Sequence, residues 1–124
     1  MGILDKLGTR LTESPDRIRA QEIRRFCRNI PAVQQIAECR TRSHARVVGI
    51  VQSIKFDPGE SSARLEVRIF DGTDEIVGVW FGRKEIKGIR LGQPLVLDGT
   101  IVGTPDTKLQ MMNPSYELLP AEEH

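Results

Sequence analysis

The stretch Ala63-Arg64-Leu65-Glu66-Val67-Arg68-Ile69-Phe70 alternates apolar and charged side chains more cleanly than any other part of the chain. Successive side chains of a strand point to opposite faces. Leu65, Val67 and Ile69 are therefore predicted to face a core, and Arg64, Glu66 and Arg68 to face outward. Next comes Asp71-Gly72-Thr73-Asp74, a tight-turn composition, leading into Glu75-Ile76-Val77-Gly78-Val79-Trp80-Phe81. Upstream, Arg46 to Phe56 reads as a strand broken by Asp57-Pro58-Gly59. Downstream, the charged link Gly82 to Gly92 has room for one short helical turn. Pro94 to Val102 and Lys108 to Met112 then read as strands on either side of the turn residues Thr104-Pro105-Asp106. Asn113 to Leu119 closes the body, and residues 120–124 form a charged tail.

Five strands in about 70 residues, with a link between the third and fourth, predict a mainly β chain folded as a Greek-key OB barrel, an architecture that binds oligonucleotides or oligosaccharides. Gly49 and Gly99 fall inside strands, where glycine marks a bend or barrel corner. The chain of 124 residues is one domain with at most a short appendage, read as a helical basic arm over 1–38, an OB domain over 39–119 and a tail over 120–124. No apolar stretch approaches the ~20 residues needed to cross a bilayer, no leader pattern opens the chain, and the two cysteines fit a reducing interior. The expectation is a cytoplasmic protein without membrane contact.

The arm is amphipathic. Ile3, Leu4, Leu7 and Leu11 share one helical stripe. Ser14-Pro15-Asp16 is a helix start, and Ile23, Phe26, Cys27 and Ile30 form a second stripe. Residues 1–46 carry ten basic and five acidic side chains, net +5, whereas the remainder is net −4. Such asymmetry fits either a polyanion-facing segment or a contact between the halves. Arg17, Arg24 and Arg28 are spaced to share one helix face, for phosphate or for ordinary salt bridges with Glu22 and the acidic body.

The pieces Gly49-Ile50-Val51-Gln52-Ser53, Asp71-Gly72-Thr73, Trp80-Phe81, Leu91-Gly92 and Asp98-Gly99-Thr100-Ile101-Val102, in that order, resemble the nucleic-acid-binding OB-fold family. Its members include the anticodon-binding domains of some aminoacyl-tRNA synthetases. The ending Met112-Asn113-Pro114-Ser115-Tyr116-Glu117-Leu118-Leu119 resembles the end of the wedge OB domain of RecG-type DNA helicases, and small stand-alone bacterial OB proteins have a similar layout. The likeness covers about residues 40–119. It implies nucleic-acid binding across strands two and three, and it favours Phe81 as a stacking aromatic. It implies no helicase motor, because no Gly-x-x-x-x-Gly-Lys-Ser/Thr loop is present.

The residues themselves offer little for catalysis. His44 and His124 are far apart and lack a partner motif, and Cys27, Cys39 and His44 fit no zinc spacing. Asp71, Asp74 and Glu75 are read as turn formers. No catalytic residue, metal or cofactor is assigned. Binding of single strands needs cations for phosphates and flat rings for bases. The candidate set is Arg64, Arg68 and Phe70 on strand two, Phe81, Arg83 and Lys84 at the end of strand three, and Lys55 and Lys108 on flanking segments. Whether Trp80 or Phe81 faces outward stays open, because that run is apolar throughout. A face bearing Arg64 and Arg68 is equally well an ordinary solvated one, and residues 40–119 are only net +1, so binding is expected to be weak and salt-sensitive. DNA and RNA are both open as ligands. The second reading is a protein-interaction module in which the barrel is a scaffold and the arm docks a partner.

Short helices are marginal in water, so the stripe of Ile3, Leu4, Leu7 and Leu11 is expected to pack on the barrel or, preferentially, on a second copy through residues 1–30. Deleting residues 1–13 should then lower the sedimentation coefficient of a self-associated species. A strict monomer, unchanged by the deletion, excludes the subunit version.

Overall fold

The computed structural model describes residues 15–103 and 108–120. Its elements are α1 (Pro15–Arg28), a 3-10 turn (Ile36–Glu38), β1 (His44–Asp57), β2 (Arg64–Phe70), β3 (Glu75–Phe81), β4 (Pro94–Val102), β5 (Leu109–Met112) and β6 (Ser115–Leu118). β1 pairs antiparallel with both β2 and β4, β2 with β3, and β4 with β5, while β3 and β5 pair in parallel. Those pairings close a ring of five strands, β1-β2-β3-β5-β4 and back to β1. The expected barrel and its inward set are present: Leu65, Val67 and Ile69 are buried in one core with Val47, Val51, Ile76, Leu97, Ile101 and Met111.

Two long strands each serve two neighbours, and a glycine sits near each hand-over. β1 pairs with β4 through Ile50 and with β2 from Ile50 onward. At Gly49 a Cβ would stand 2.9 Å from the carbonyl oxygen of Phe70, so only glycine lets β1 turn this corner. Gly99 lies where β4 passes from β6 to β5. The closing segment contains a sixth strand, β6, that the local pattern does not mark. It continues along β4 after a one-residue irregularity at Asn113-Pro114, with Asn113 at a φ of 49°. The link between β3 and β4 forms no helix. Gly82, Gly88 and Gly92 all adopt positive φ and interrupt any run, leaving single turns such as Ile89 N–H to Ile86 O.

Ile36 and Ile86 plug the barrel from different ends. Ile36 is fully buried at the end of the β2–β3 turn, and Ile86 is buried beside Leu65 and Val67, near the start of β2. The Ile36 plug is fastened by Asp71, which is 4% exposed. One oxygen of its carboxylate accepts from Ile36 N–H at 2.8 Å. The other accepts from Thr73 N–H at 2.8 Å, Thr73 Oγ1 at 2.6 Å and Asp74 N–H at 3.1 Å. Thr73 Oγ1 in turn accepts from Ala37 N–H at 3.1 Å.

Helix α1 starts at Pro15, as expected, and lies on the outside of the barrel. Ile23 and Cys27 are buried with Val48 and Val96, and Phe26, Ile30, Ile50 and Phe70 pack around them. The stripe of Ile3, Leu4, Leu7 and Leu11 falls outside the described residues. The second stripe is used on the chain's own barrel, so residues 15–28 do not project as a free arm. At Gly72, with φ 92°, an added Cβ would lie 2.4 Å from Arg24 Cβ, so helix and turn meet in backbone contact.

Replacing Asp71 by Asn keeps one oxygen for the three turn donors but turns an amide toward Ile36 N–H. The loss should be about 1–3 kcal/mol of stability, one buried donor left unsatisfied. Asp71→Ala should cost more than Asp71→Asn. Urea denaturation measures both, and an Asn variant as stable as the parent contradicts the fastening role.

Candidate nucleic-acid interface

The irregularity in β1 decides which of its side chains reach the outer face. Pairing with β2 slips between Val51 and Ser53, leaving Gln52 as the extra residue. Before the slip, Val47 and Val51 point inward. After it, Ile54 and Phe56 stand opposite the inward Val67 and Leu65, while Ser53 and Lys55 stand opposite Arg68 and Glu66. The bulge thus rotates Lys55 onto the outer face, a use bulges commonly serve.

The facing of β3 is equally definite. Trp80 is 3% exposed and lies inside, its ring folded across Gly78, where a Cβ would come within 2.9 Å of the indole. Its Nε1–H donates to Pro114 O at 3.1 Å, and its ring meets Tyr116 edge-on at 6.1 Å. Phe81 points the other way and is 41% exposed. The Arg64 guanidinium stands over the Phe81 ring, 5.6 Å from its centroid, and Arg64 Nε–H donates to Glu66 Oε2 at 2.6 Å. A cation over a ring face is attractive, and a guanidinium plane is itself a stacking surface for a base. Asn113 steadies this end of β3, donating its N–H to Val79 O and accepting from Phe81 N–H.

A shallow groove of about 310 Å³ runs along this face, lined by Ser53, Lys55, Glu66, Arg68, Lys108 and Gln110, with Val77 among them. Lys108 Nζ lies 2.6 Å from Glu75 Oε1, and Arg68 Nε lies 3.5 Å from Glu75 Oε2. These pairs are partly solvated, a setting in which an ion pair contributes about 0–1 kcal/mol. Of the eight candidates, the structure gathers Lys55, Arg64, Arg68, Phe81 and Lys108 on one face. Arg83 is exposed just beyond Phe81. Lys84 instead rims a separate apolar groove of about 400 Å³ with Ile54, Leu65, Val67 and Ile86.

Phe70 needs correction as a ring free to stack. It shares the outward parity of Arg68 but is packed in the cluster beneath α1. Arg24 and Arg28 line a small cleft with Cys27, Val48 and Asp71, at the helix rather than on the sheet face. What sequence reasoning missed is the pair of carboxylates, Glu66 and Glu75, that partner the cations. The alternation placed Glu66 outward, yet its hold on Arg64 carries no local signal.

Among the described residues no group of three or more His, Cys, Asp or Glu could hold a metal. Asp71 and Glu75 do not converge, since one is buried in the turn and the other sits on the sheet face. Burial, reinforced by the charge of Asp71, pushes the Cys27 thiol up to about 12. Cys39 is raised by burial and by Asp71 and Glu38. Both thiols therefore stay protonated near neutrality, the opposite of an activated cysteine. His44 sits against Asp98 on the far strand pair, 2.5 Å from its Oδ1. No described helix is long and apolar enough to cross a membrane.

Among solved structures, the chain is similar to a replication factor A related protein from Methanobacterium thermoautotrophicum. The TM-score is 0.55 at 21% identity, covering 73% of this chain and 94% of that one. This chain has an OB-fold. A structure of RecG bound to a three-way DNA junction aligns at a TM-score of 0.48 and 17% identity, over 66% of this chain and 12% of RecG. No family model and no curated protein matches the sequence.

The facing of the two aromatics gives a direct check. Trp80→Ala empties a core site and should cost about 3–5 kcal/mol. Phe81→Ala removes a half-exposed ring and should cost less than about 1.5 kcal/mol. Thermal melts that reverse this order would place Phe81, not Trp80, in the core.

Proposed function

We propose that this chain is a non-catalytic nucleic-acid-binding protein that takes single-stranded or structured DNA or RNA across the outer face of β1, β2 and β3 and the start of β5. One observation carries the reading. Three cations, Lys55 from β1, Arg68 from β2 and Lys108 at the start of β5, line one groove, and on the same face Arg64 of β2 stands over a half-exposed Phe81. Phosphates meet the cations along the groove, and a base stacks at Phe81 on the same face, on the ring or on the guanidinium that covers it. Arg83 extends the positive track past β3. The fold shared with a replication factor A related protein is in keeping with this ligand class.

The position of α1 favours this reading over a scaffold whose arm docks a partner. Its apolar stripe is buried on Val48 and Val96, and of the candidate face it covers only the Phe70 end. The segment 64–68 of β2 and Phe81 remain uncovered by described residues.

Fluorescence anisotropy with labelled 15-mers of single-stranded DNA and RNA, at two salt concentrations, tests the proposal. Binding should weaken steeply with salt. Phe81→Ala should lose about 1–3 kcal/mol of affinity. Neutralising Lys55, Arg68 or Arg83 one at a time should make the salt slope shallower by roughly 0.7 per phosphate contact removed. Absence of binding to either strand at low salt defeats it.

A further inference from the structure

We infer that Glu75 stands in the place of a backbone phosphate, and that the Arg68–Lys108 pair it bridges is an anion subsite occupied by the protein's own carboxylate until nucleic acid replaces it. The inference rests on the nucleic-acid reading above and adds which site takes a phosphate and what competes for it. Glu75 opens β3, a strand flanked by β2 on one side and by β5 on the other. A cation reaches it from each side. Lys108 Nζ takes Oε1 at 2.6 Å, and Arg68 Nε faces Oε2 at 3.5 Å. Two oxygens of one anion are thus divided between two cations from neighbouring segments, which is how the two free oxygens of a phosphodiester would be held. Ser53 and Gln110 line the same groove and offer further donors.

The carboxylate fills the Lys108 side of this place with a hydrogen bond and the Arg68 side poorly. At 3.5 Å the Arg68 contact is Coulombic and makes no hydrogen bond. Arg68 Nε is the one buried side-chain nitrogen or oxygen without a hydrogen-bond partner among the described residues. Side-chain exposures of 39%, 25% and 49% for Arg68, Glu75 and Lys108 mean that solvent already weakens the bridge. A phosphate carries its charge on oxygens that can meet the guanidinium fork in two parallel hydrogen bonds, the arrangement Glu75 does not provide. The contrast with Glu66 is informative. Glu66 makes a full 2.6 Å hydrogen bond to Arg64 and fixes that side chain over Phe81, so it positions a stacking surface. Glu75 instead accepts a 2.6 Å hydrogen bond from Lys108 and leaves Arg68 Nε unbonded.

A direct test compares the parent, Glu75→Gln, Glu85→Gln and the double variant Glu75→Gln/Lys108→Gln for binding to labelled dT15 and rU15 across a salt series. Glu85 is exposed on the β3–β4 link, away from the groove, so its variant reports the general effect of removing one negative charge. Glu75→Gln should tighten binding about three- to tenfold at low salt and steepen the log–log salt slope by roughly 0.7–1.4, one to two added phosphate contacts. Glu85→Gln should change affinity less than about twofold and leave the slope alone, since screened charges at a distance act weakly. The double variant should lose most of the gain. If Glu75→Gln matches the parent, or merely matches Glu85→Gln, the subsite is refuted while nucleic-acid binding stands. If no variant binds either strand at low salt, both the subsite and the functional reading fall.

Discussion

The carboxylate of Asp71 joins two parts of the molecule that sequence keeps apart. It closes the β2–β3 turn through Thr73 and Asp74, and 35 residues away along the chain it captures the N–H of Ile36. Ile36 is the fully buried side chain that fills one end of the barrel, so the bond fixes a plug as well as a turn. The same turn carries Gly72, on which α1 rests through Arg24. A buried carboxyl group is costly to desolvate unless its oxygens are supplied with donors, and here four donors are supplied. That requirement couples the plug to the hairpin that bears the candidate interface.

From that anchored hairpin the geometry of the face follows. The β1 bulge turns Lys55 outward, and the β2 alternation sets Arg64 and Arg68 beside it. The parallel pairing of β5 with β3 then brings Lys108 to the other side. Each of these cations except Lys55 is matched by a carboxylate on the same face. The result is a groove rich in donors in which most cations already have a carboxylate partner on the protein itself. The two thiols lie away from this face and are kept protonated by burial and by Asp71.

Much of the fold was legible from local pattern. The strict period of two across Arg64–Phe70 depends on which residue types tolerate water, and that is a property of each residue alone. The turn Asp71–Asp74, the start of α1 at Pro15 and the corner glycines Gly49 and Gly99 follow from backbone geometry in the same way. The sixth strand was not legible. Asn113-Pro114 reads locally as a stop, and only the presence of β4 alongside lets the chain continue as a strand beyond it.

The site divides along the same line. Residue types alone determined that Arg64 and Arg68 share a face and that an aromatic closes β3. Tertiary structure decided which aromatic is exposed, because in Ile76–Phe81 every side chain is apolar or glycine and no period marks the inside. It decided that Lys55 joins the face, through a bulge that shifts parity by one residue. It withdrew Phe70 from the face by laying α1 over it. Above all it decided the charge balance, since Lys108 and Glu75 stand 33 residues apart and meet only because β5 runs beside β3. Facing follows from period, which is local; pairing follows from which strand lies next door, which the whole barrel sets.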